Sequence, residues 1–331
     1  SRCTTRLPLY TLRNERGMLV QITNYGARVV ALWAPGADSV HRDVVWGYET
    51  IDDYLAAGDR FSGPIVGRYG NRIGGARFEL DGREYRLTVN DGANHLHGGS
   101  SGFADKVWDA RPFVNEAGEQ AVEMSYLSPD GEEGYPGTLT VSVKFSWQGD
   151  GLMLHYTARC DQDTILNLTN HSYFNLDGEG TVQEQLLKIH ADHYTPNDAG
   201  CLPTGELAPV AGTAMDFRSF KPIGKDADSD EPCVKPFRGY DVNFCLDGSV
   251  PAIEAKSLKS GIVMCVTTDQ PGVQCYTGQG LDHTGKGGVH YGPYAGVCLE
   301  TQHYPCSPSH PEFPSTVLRA GKVRSEERRV G

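Results

Sequence analysis

Apolar and polar side chains alternate at every second position in much of this sequence, and this alternation constrains the fold more than any other feature. In Thr138–Trp147, five apolar side chains fall on one face and the polar side chains fall on the other. A strand with one buried face has this period of two. The alternation repeats from Leu152 to Ala158, after a turn at Gly149–Gly151. We predict two consecutive strands joined by that turn.

Two further stretches show the same period. Between Phe78 and Val89, alternating apolar residues flank the dipeptide Asp81-Gly82, which is typical of the tight turn in a β-hairpin. Met18–Trp33 is interpreted as two strands broken at Asn24–Gly26. These segments favour antiparallel sheets.

Helical periodicity is limited to one short turn, predicted around Asp52–Ala57. The 40 glycines and 19 prolines suit many turns between short strands. We therefore predict an all-β fold, with sheets packed face to face, in a single domain over residues 1–331. Pro305–Pro314 is predicted to be a rigid loop with little strand-like sequence after it.

Charge and hydropathy restrict the partners of the protein. The chain has 331 residues and a formal net charge of −12. Because an acidic chain repels phosphate groups, nucleic acid and anionic membranes are poor partners. No apolar stretch reaches membrane-spanning length. The N-terminus lacks a signal-peptide pattern, although a presequence removed before Ser1 stays an open alternative.

The nine cysteines are scattered from Cys3 to Cys306 without a C-x-x-C pair. This pattern argues against a disulfide framework or a structural zinc site. N-glycosylation sequons at Asn167 and Asn170 overlap a segment rich in candidate functional residues, which a glycan would block. We expect a cytoplasmic protein, with a secreted form as the alternative.

Titratable and polar residues cluster among glycines, where a ligand can approach the backbone closely. These clusters are Gly67–Gly75, Asn94–Gly99, Asn167–Leu176 and Cys298–His303. His95 and His97 could bind a metal if both lay on one strand face, but no carboxylate follows at a suitable spacing.

Each single candidate also has a purely structural interpretation. His171 could be a buried histidine bonded to the backbone, and Glu300 could be a carboxylate at a strand end. Arg72 could anchor a loop, and Asp241 could cap a turn. Spacing alone does not bring these residues together.

In combination, the clusters resemble the aldose 1-epimerase (galactose mutarotase) family along roughly Leu19 to Leu318. The matching motifs, in the family's order, are G-R-x-x-N-R-I at Gly67–Ile73, N-x-L-H-G-G at Asn94–Gly99, G-E-E-G-Y-P at Gly131–Pro136, N-L-T-N-H-S-Y-F-N-L at Asn167–Leu176, G-Y-D-x-N-F at Gly239–Phe244, Q-P-G-V-Q-x-Y-T-G at Gln270–Gly278 and C-L-E-T-Q at Cys298–Gln302.

The resemblance implies a large antiparallel β-sandwich, the galactose mutarotase-like supersandwich, and an isomerase that exchanges the α and β anomers of free aldohexoses such as galactose and glucose. Glu300 corresponds to the general base, His171 to the general acid and His97 to a second active-site histidine. The positions that match sugar-holding residues are Asn71, Arg72, Asp241 and Gln274. The expected partner is a small sugar, with no cofactor and no metal, and the expected state is a monomer or weak homodimer.

These residue types suit the chemistry. Anomer exchange removes a proton from the C1 hydroxyl and delivers one to the ring oxygen, after which the ring opens, rotates and recloses. A carboxylate can accept the first proton and an imidazole can supply the second. Reclosure reverses both roles, so pKa values near the working pH are favourable.

The chain departs from the family pattern near its C-terminus. Cys306 stands where Asp is usual and Ser309 where Asn is common, which leaves the shape of that loop open. Residues 319–331 lack the expected final strand of aromatic and β-branched residues. We therefore expect a truncated or replaced tail.

Three rival functions remain. A hexose-6-phosphate epimerase would need extra cations around the sugar, and the motifs offer only Arg68 and Arg72. A sugar-binding module without catalysis would not need the two histidines and Glu300. A glycoside hydrolase would require two carboxylates, for which Asp241 and Glu300 are the candidates.

Overall fold

The computed structural model describes residues 7–331, and these residues form 29 strands and one short α-helix. The strands are β1 (Leu9–Arg13), β2 (Leu19–Thr23), β3 (Arg28–Pro35), β4 (His41–Asp43), β5 (Ile65–Val66), β6 (Arg72–Ile73), β7 (Arg77–Leu80), β8 (Arg83–Arg86), β9 (His95–Leu96), β10 (Asp109–Val114), β11 (Gln120–Ser128), β12 (Leu139–Gln148), β13 (Gly151–Cys160), β14 (Thr164–Ile165), β15 (Thr169–Asn170), β16 (Tyr173–Phe174), β17 (Leu186–Ile189), β18 (His193–Thr195), β19 (Ala208–Pro209), β20 (Lys221–Pro222), β21 (Asp241–Cys245), β22 (Ile253–Lys256), β23 (Val263–Thr268), β24 (Gly272–Tyr276), β25 (His283–Thr284), β26 (His290–Tyr291), β27 (Val297–Gln302), β28 (Val317–Leu318) and β29 (Val323–Val330).

Two large antiparallel sheets dominate the fold. One has nine strands in the order β10-β11-β12-β13-β29-β23-β22-β17-β20, and the other has six in the order β16-β27-β24-β21-β18-β19. A four-stranded sheet, β1-β2-β3-β4, lies at the start of the chain. One apolar cluster from Leu12 to Val330 includes buried side chains of all three sheets. The all-β prediction is confirmed, and the single domain stays a prediction.

The local strand predictions hold at their centres and shift at their ends. β12 pairs with β13 from Leu139 to Gln148, and its inward side chains are fully buried. At the β7–β8 turn, Asp81 and Gly82 both have positive φ, as a two-residue type I′ turn requires. β8 ends at Arg86, whereas the alternation predicts a strand as far as Val89. Val89 lies after the strand and is 57% exposed.

The α-helix α1 spans Ile51–Ala56, close to the predicted turn. Thr50 and Asp53 form a reciprocal capping box at its N-terminus. Among residues 7–331, no helix has the length and apolar content that crossing a membrane requires.

The central strands of the six-stranded sheet, β21, β24 and β27, are buried on both faces. One face contributes to the main apolar cluster through Val242, Phe244, Val273, Cys275, Val297 and Leu299. Because successive side chains on a strand point to opposite faces, the other face carries the polar set. That set is Asp241, Asn243, Gln274, Tyr276, Cys298, Glu300 and Gln302.

The prediction that no strand follows Leu318 is wrong. β29 (Val323–Val330) lies in the middle of the nine-stranded sheet and pairs with β13 and β23. Backbone pairing needs no particular side chains, so the two neighbours hold this segment although its inward face carries Glu326 and Arg328 in place of apolar residues. The Arg328 guanidinium makes no hydrogen bond with residues 7–331.

Candidate active site

A cavity of about 220 Å³ lies at the polar face of the six-stranded sheet. Its walls are Phe61, Asn71, Arg72, Leu96, His97, His171, Tyr173, Asp241, Tyr276 and Glu300. Six of the seven predicted site residues therefore meet in one small space, although the sequence separates them widely. The seventh, Gln274, is buried beside the cavity rather than lining it.

Glu300 and His171 face each other inside this cavity. Glu300 Oε1 lies 3.4 Å from His171 Nε2, and both side chains are almost fully buried. Glu300 Oε2 has no hydrogen-bond partner among residues 7–331. Burial raises the pKa of Glu300 to about 7, with His171 opposing the rise and Asp241 adding to it. A carboxylate with this pKa can both accept and release a proton near neutral pH.

The position of His171 is fixed by its backbone and by a thiol. Its N–H donates to Pro64 O at 3.0 Å and its carbonyl accepts from Gly63 N–H at 2.9 Å. On the ring, Nδ1 lies 3.5 Å from Cys298 Sγ, so Nε2 is the nitrogen that faces Glu300. Cys298 lies two residues before Glu300 on β27 and shares its face.

His97 is held as a hydrogen-bond donor. Its Nδ1 accepts the backbone N–H of Asn71 at 3.0 Å, so in the neutral ring the proton is on Nε2. Burial, followed by the nearby His171, lowers the pKa of His97 well below its usual value. Its ring stands perpendicular to that of His171, with centroids 5.2 Å apart. His97 therefore contributes a neutral N–H rather than a second acid.

His95 is a structural residue. It is fully buried, with Nδ1 2.6 Å from Thr88 O and Nε2 2.6 Å from the Tyr135 hydroxyl. Both ring nitrogens are engaged, so the pairing of His95 with His97 as metal ligands does not form.

His97, His171 and Glu300 each offer a ligand atom, and these atoms lie within 4.8 Å of one another. Two imidazoles and a carboxylate form a donor set that zinc uses in proteins. Against this, the Asn71 bond assigns a proton to His97 Nε2, and a protonated nitrogen cannot bind a cation.

Arg72 and Asp241 complete the polar wall. The Arg72 guanidinium donates from Nε to Asp91 Oδ2 at 2.7 Å. Asp241 accepts at Oδ1 from Gln274 Nε2 at 2.8 Å. The loop with Cys306 supports Arg72 from behind, because the Cys306 N–H donates to Arg72 O at 2.9 Å. The Cys306 thiol, which stands where the resembled family usually has Asp, also lies 3.2 Å from the Arg72 carbonyl oxygen.

Comparison with known proteins identifies the family of this chain. A family model described as aldose 1-epimerase matches residues 8–330. The chain belongs to the aldose 1-epimerase family. Galactose mutarotase from Bos taurus is 42% identical over 92% of this chain and 87% of its own length. Aldose 1-epimerase from Escherichia coli K12 is 37% identical over 96% of this chain and 92% of its own. An aldose epimerase homologue from C. elegans superposes with a TM-score of 0.90, at 30% identity, over 98% of both chains.

Membership of the aldose 1-epimerase family confirms the resemblance, the supersandwich fold and the prediction of an isomerase that exchanges aldose anomers. The individual residue roles stay predictions.

Three cavity residues, Phe61, Leu96 and Tyr276, were missed by the sequence interpretation of this aldose 1-epimerase family member. Phe61 lies with its ring 4.7 Å from His97 and 5.8 Å from His171, and no local signal marks it. Tyr276 lines the wall two residues after Gln274, so the period of two could have revealed it. Tyr173 also lines the cavity, whereas its aromatic neighbours Phe174 and Trp46 do not.

A larger cavity of about 570 Å³ lies on the far side of Trp46, whose ring stacks on Tyr173 at 5.2 Å. The charged side chains Lys286 and Glu49 in this cavity already have hydrogen-bond partners within the protein. Lys286 Nζ binds Asp43 Oδ2 at 2.5 Å and two backbone carbonyls, and Glu49 accepts the Gly287 N–H. Because the smaller cavity has an acid–base pair with an unpaired oxygen, we place the chemistry there.

Proposed function

We propose that the protein interconverts the α and β anomers of free aldohexoses such as galactose and glucose, with Glu300 as general base and His171 as general acid. The observation that carries this proposal is the pair itself. A carboxylate and an imidazole face each other at 3.4 Å in a sugar-sized cavity, and the second carboxylate oxygen has no partner among the described residues.

The cycle moves two protons and leaves no net change. Glu300 accepts the proton of the C1 hydroxyl while protonated His171 donates to the ring oxygen, and the C1–ring oxygen bond breaks to give the open-chain aldehyde. After rotation about C1–C2, His171 takes back the proton from the former ring oxygen as that oxygen attacks C1. Glu300 then returns its proton to the new C1 oxygen. A pKa of about 7 for Glu300 suits both halves.

The remaining wall residues suit a hydroxyl-rich ligand. His97 offers a neutral N–H donor, and Arg72 offers a guanidinium that Asp91 holds in place. Asp241 offers a carboxylate that can accept hydrogen bonds from sugar hydroxyls. We assign sugar binding to these residues and to Asn71. Gln274 supports the sugar indirectly, because its amide bonds to Asp241.

The structure weighs against a phosphosugar substrate. Arg68 is fully buried and donates to Ser128 Oγ and to the carbonyls of Ser128, Pro129, Pro136 and Gly137. Its donors are therefore used within the fold. Among residues 7–331, Arg72 is the one arginine or lysine that lines the cavity. Phosphate recognition ordinarily needs more cationic donors than this.

We propose that this chemistry proceeds without a metal, because the protonated Nε2 of His97 suits donation to a sugar oxygen. The same mutarotation assay tests this point. Activity retained after dialysis against EDTA supports the metal-free route, whereas loss that is restored by Zn²⁺ would assign His97, His171 and Glu300 to a cation.

We also propose a cytoplasmic monomer or weak homodimer. The eight cysteines among the described residues are free thiols. The sequon residues Asn167 and Asn170 are buried, and their amides donate to backbone carbonyls, so the folded chain does not expose them to glycosylation. Light scattering at several protein concentrations tests the oligomeric state.

Polarimetry of freshly dissolved α-D-galactose and α-D-glucose tests the function. We expect the protein to accelerate the approach to equilibrium, and we expect Glu300→Gln and His171→Asn each to abolish this. His190 and Glu254 form a second histidine–glutamate pair, at 3.0 Å and away from the cavity. His190→Asn and Glu254→Gln are therefore matched controls that should retain activity.

No acceleration by the folded wild type, with either sugar, would refute the proposal. Acceleration that survives both site substitutions would retain the function and reject the residue roles. Activity restricted to hexose 6-phosphates would favour the rival epimerase.

A further inference from the structure

A buried chain of amide side chains extends from Asp241 into the sheet. Gln274 Nε2 donates to Asp241 Oδ1 at 2.8 Å. Gln274 Oε1 in turn accepts from Gln302 Nε2 at 3.2 Å, and the same Gln302 nitrogen donates to Asn243 Oδ1 at 3.1 Å. The three amides are at most 3% exposed, and they lie on adjacent strands β21, β24 and β27.

This row of hydrogen bonds has a direction, because each amide side chain has one donating end and one accepting end. If the Gln274 amide were reversed, its carbonyl would face the Asp241 carboxylate and its NH₂ would face the NH₂ of Gln302. Both contacts would be repulsive. The Asp241 carboxylate and the donor end of Gln302 therefore fix together which end of Gln274 faces Asp241.

The backbone leaves room for this arrangement. Gly272 lies opposite Gln302 in the β24–β27 pairing, and a Cβ at Gly272 would lie 2.6 Å from Asn243 Oδ1. Only glycine at this position lets the Asn243 amide reach Gln302 without displacement.

We propose that Gln302 is a positioning residue, which orients Gln274 and through it presents the free oxygen of Asp241 to one sugar hydroxyl. Gln302 touches neither the sugar nor the catalytic pair. It acts by removing the alternative amide orientation, so that the acceptor for that hydroxyl is pre-formed rather than ordered on binding. This inference rests on the proposed sugar site.

Gln302→Leu is the primary test. This substitution removes the donor and puts an apolar side chain of similar size in the same buried position. It also removes Gln302 Oε1, which has no hydrogen-bond partner within residues 7–331. We expect KM for D-galactose to rise about tenfold, the loss of one oriented hydrogen bond, with kcat changing about twofold or less. Gln302→Glu, which replaces the donor by an acceptor, should attract the Gln274 NH₂ and raise KM further.

A double-mutant cycle separates positioning from general destabilisation. In an Asp241→Ala background, which has no side-chain acceptor, the Gln302→Leu effect on KM should vanish, because both act through the same acceptor. Gln185→Leu is the control. Gln185 is also a buried glutamine in hydrogen bonds with neighbouring side chains, but it is outside the cavity. This control should lower the melting temperature and leave KM unchanged.

A second readout does not depend on turnover. In ¹⁵N–¹H spectra, the Gln274 side-chain NH₂ should be protected from solvent exchange in wild type and lose that protection in Gln302→Leu. If wild type fails to accelerate mutarotation, the proposed function fails while this measurement still tests the positioning role. Unchanged KM and unchanged Gln274 protection in Gln302→Leu would overturn the inference, as would equal KM effects with and without Asp241.

Discussion

Replacing Glu300 by Gln should abolish activity and also stabilise the protein at alkaline pH. The pKa of Glu300 is about 7 in the folded protein against an ordinary value of 4.5. Between these two values the unfolded chain has released its proton and the folded chain has kept it. Each step up in pH within that window therefore favours unfolding.

The difference in pKa corresponds to about 3 kcal/mol, fully developed above pH 7 and absent below pH 4.5. Gln stays neutral throughout, so it escapes this destabilisation. Relative to wild type, the free energy of unfolding of Glu300→Gln should rise by about 3 kcal/mol between pH 4 and pH 8. Any constant offset from altered hydrogen bonds does not change that slope.

Urea denaturation at pH 4, 5, 6, 7 and 8, followed by tryptophan fluorescence, measures this difference. Glu254→Gln is the control of opposite sign. Hydrogen bonds, chiefly from His190, lower the pKa of Glu254, so that carboxylate stabilises the folded protein above its unfolded pKa. Its variant should be less stable at neutral pH, with the gap closing as the pH falls. A pH-independent difference for Glu300→Gln, or one that grows toward acid, would refute the reasoning.

Three further predictions use other measurements. In polarimetric assays, kcat/KM should fall about 100-fold from its plateau to pH 5, because a Glu300 pKa of about 7 leaves roughly 1% of the carboxylate ionised there; an acid limb near pH 4.5 would contradict this. Arg68→Met should lower the free energy of unfolding by about 3 kcal/mol or more, measured by urea denaturation, since it leaves the buried acceptors between Ser128 and Gly137 without a donor. Arg328→Leu should raise the free energy of unfolding by about 1–4 kcal/mol, because it removes a fully buried charge that lacks hydrogen bonds; a lower urea midpoint would show that the guanidinium is stabilised by something else.

Local alternation predicted the hairpins because a strand with one buried face records its burial directly in its sequence. The same rule failed for β29, whose inward positions include Glu326 and Arg328. The position of that strand is decided by β13 and β23, which are distant in sequence and pair with its backbone. A signal based on side chains cannot reveal a strand that is held chiefly by its main chain.

The site was predictable in identity but not in arrangement. The motif resemblance pointed to His97, His171 and Glu300, yet only the folded sheet shows that Asn71 fixes the donor end of His97. The position of Gln274 behind Asp241 depends on the register of β21 and β24, which no local pattern specifies. Phe61 was missed because a single aromatic residue in a loop has no periodicity.

The two-sided burial of β27 restricts how this family member can evolve. Leu299 packs in the core, whereas Glu300, the next residue, lines the cavity. Folding and the proposed catalysis therefore depend on the two opposite faces of one six-residue strand. Substitutions can change one face and spare the other. A single-residue insertion or deletion before Glu300 would exchange the faces, burying the carboxylate in the core and placing leucine against the sugar. Length variation in this gene should therefore be confined to loops, and β27 should diverge by point substitution alone.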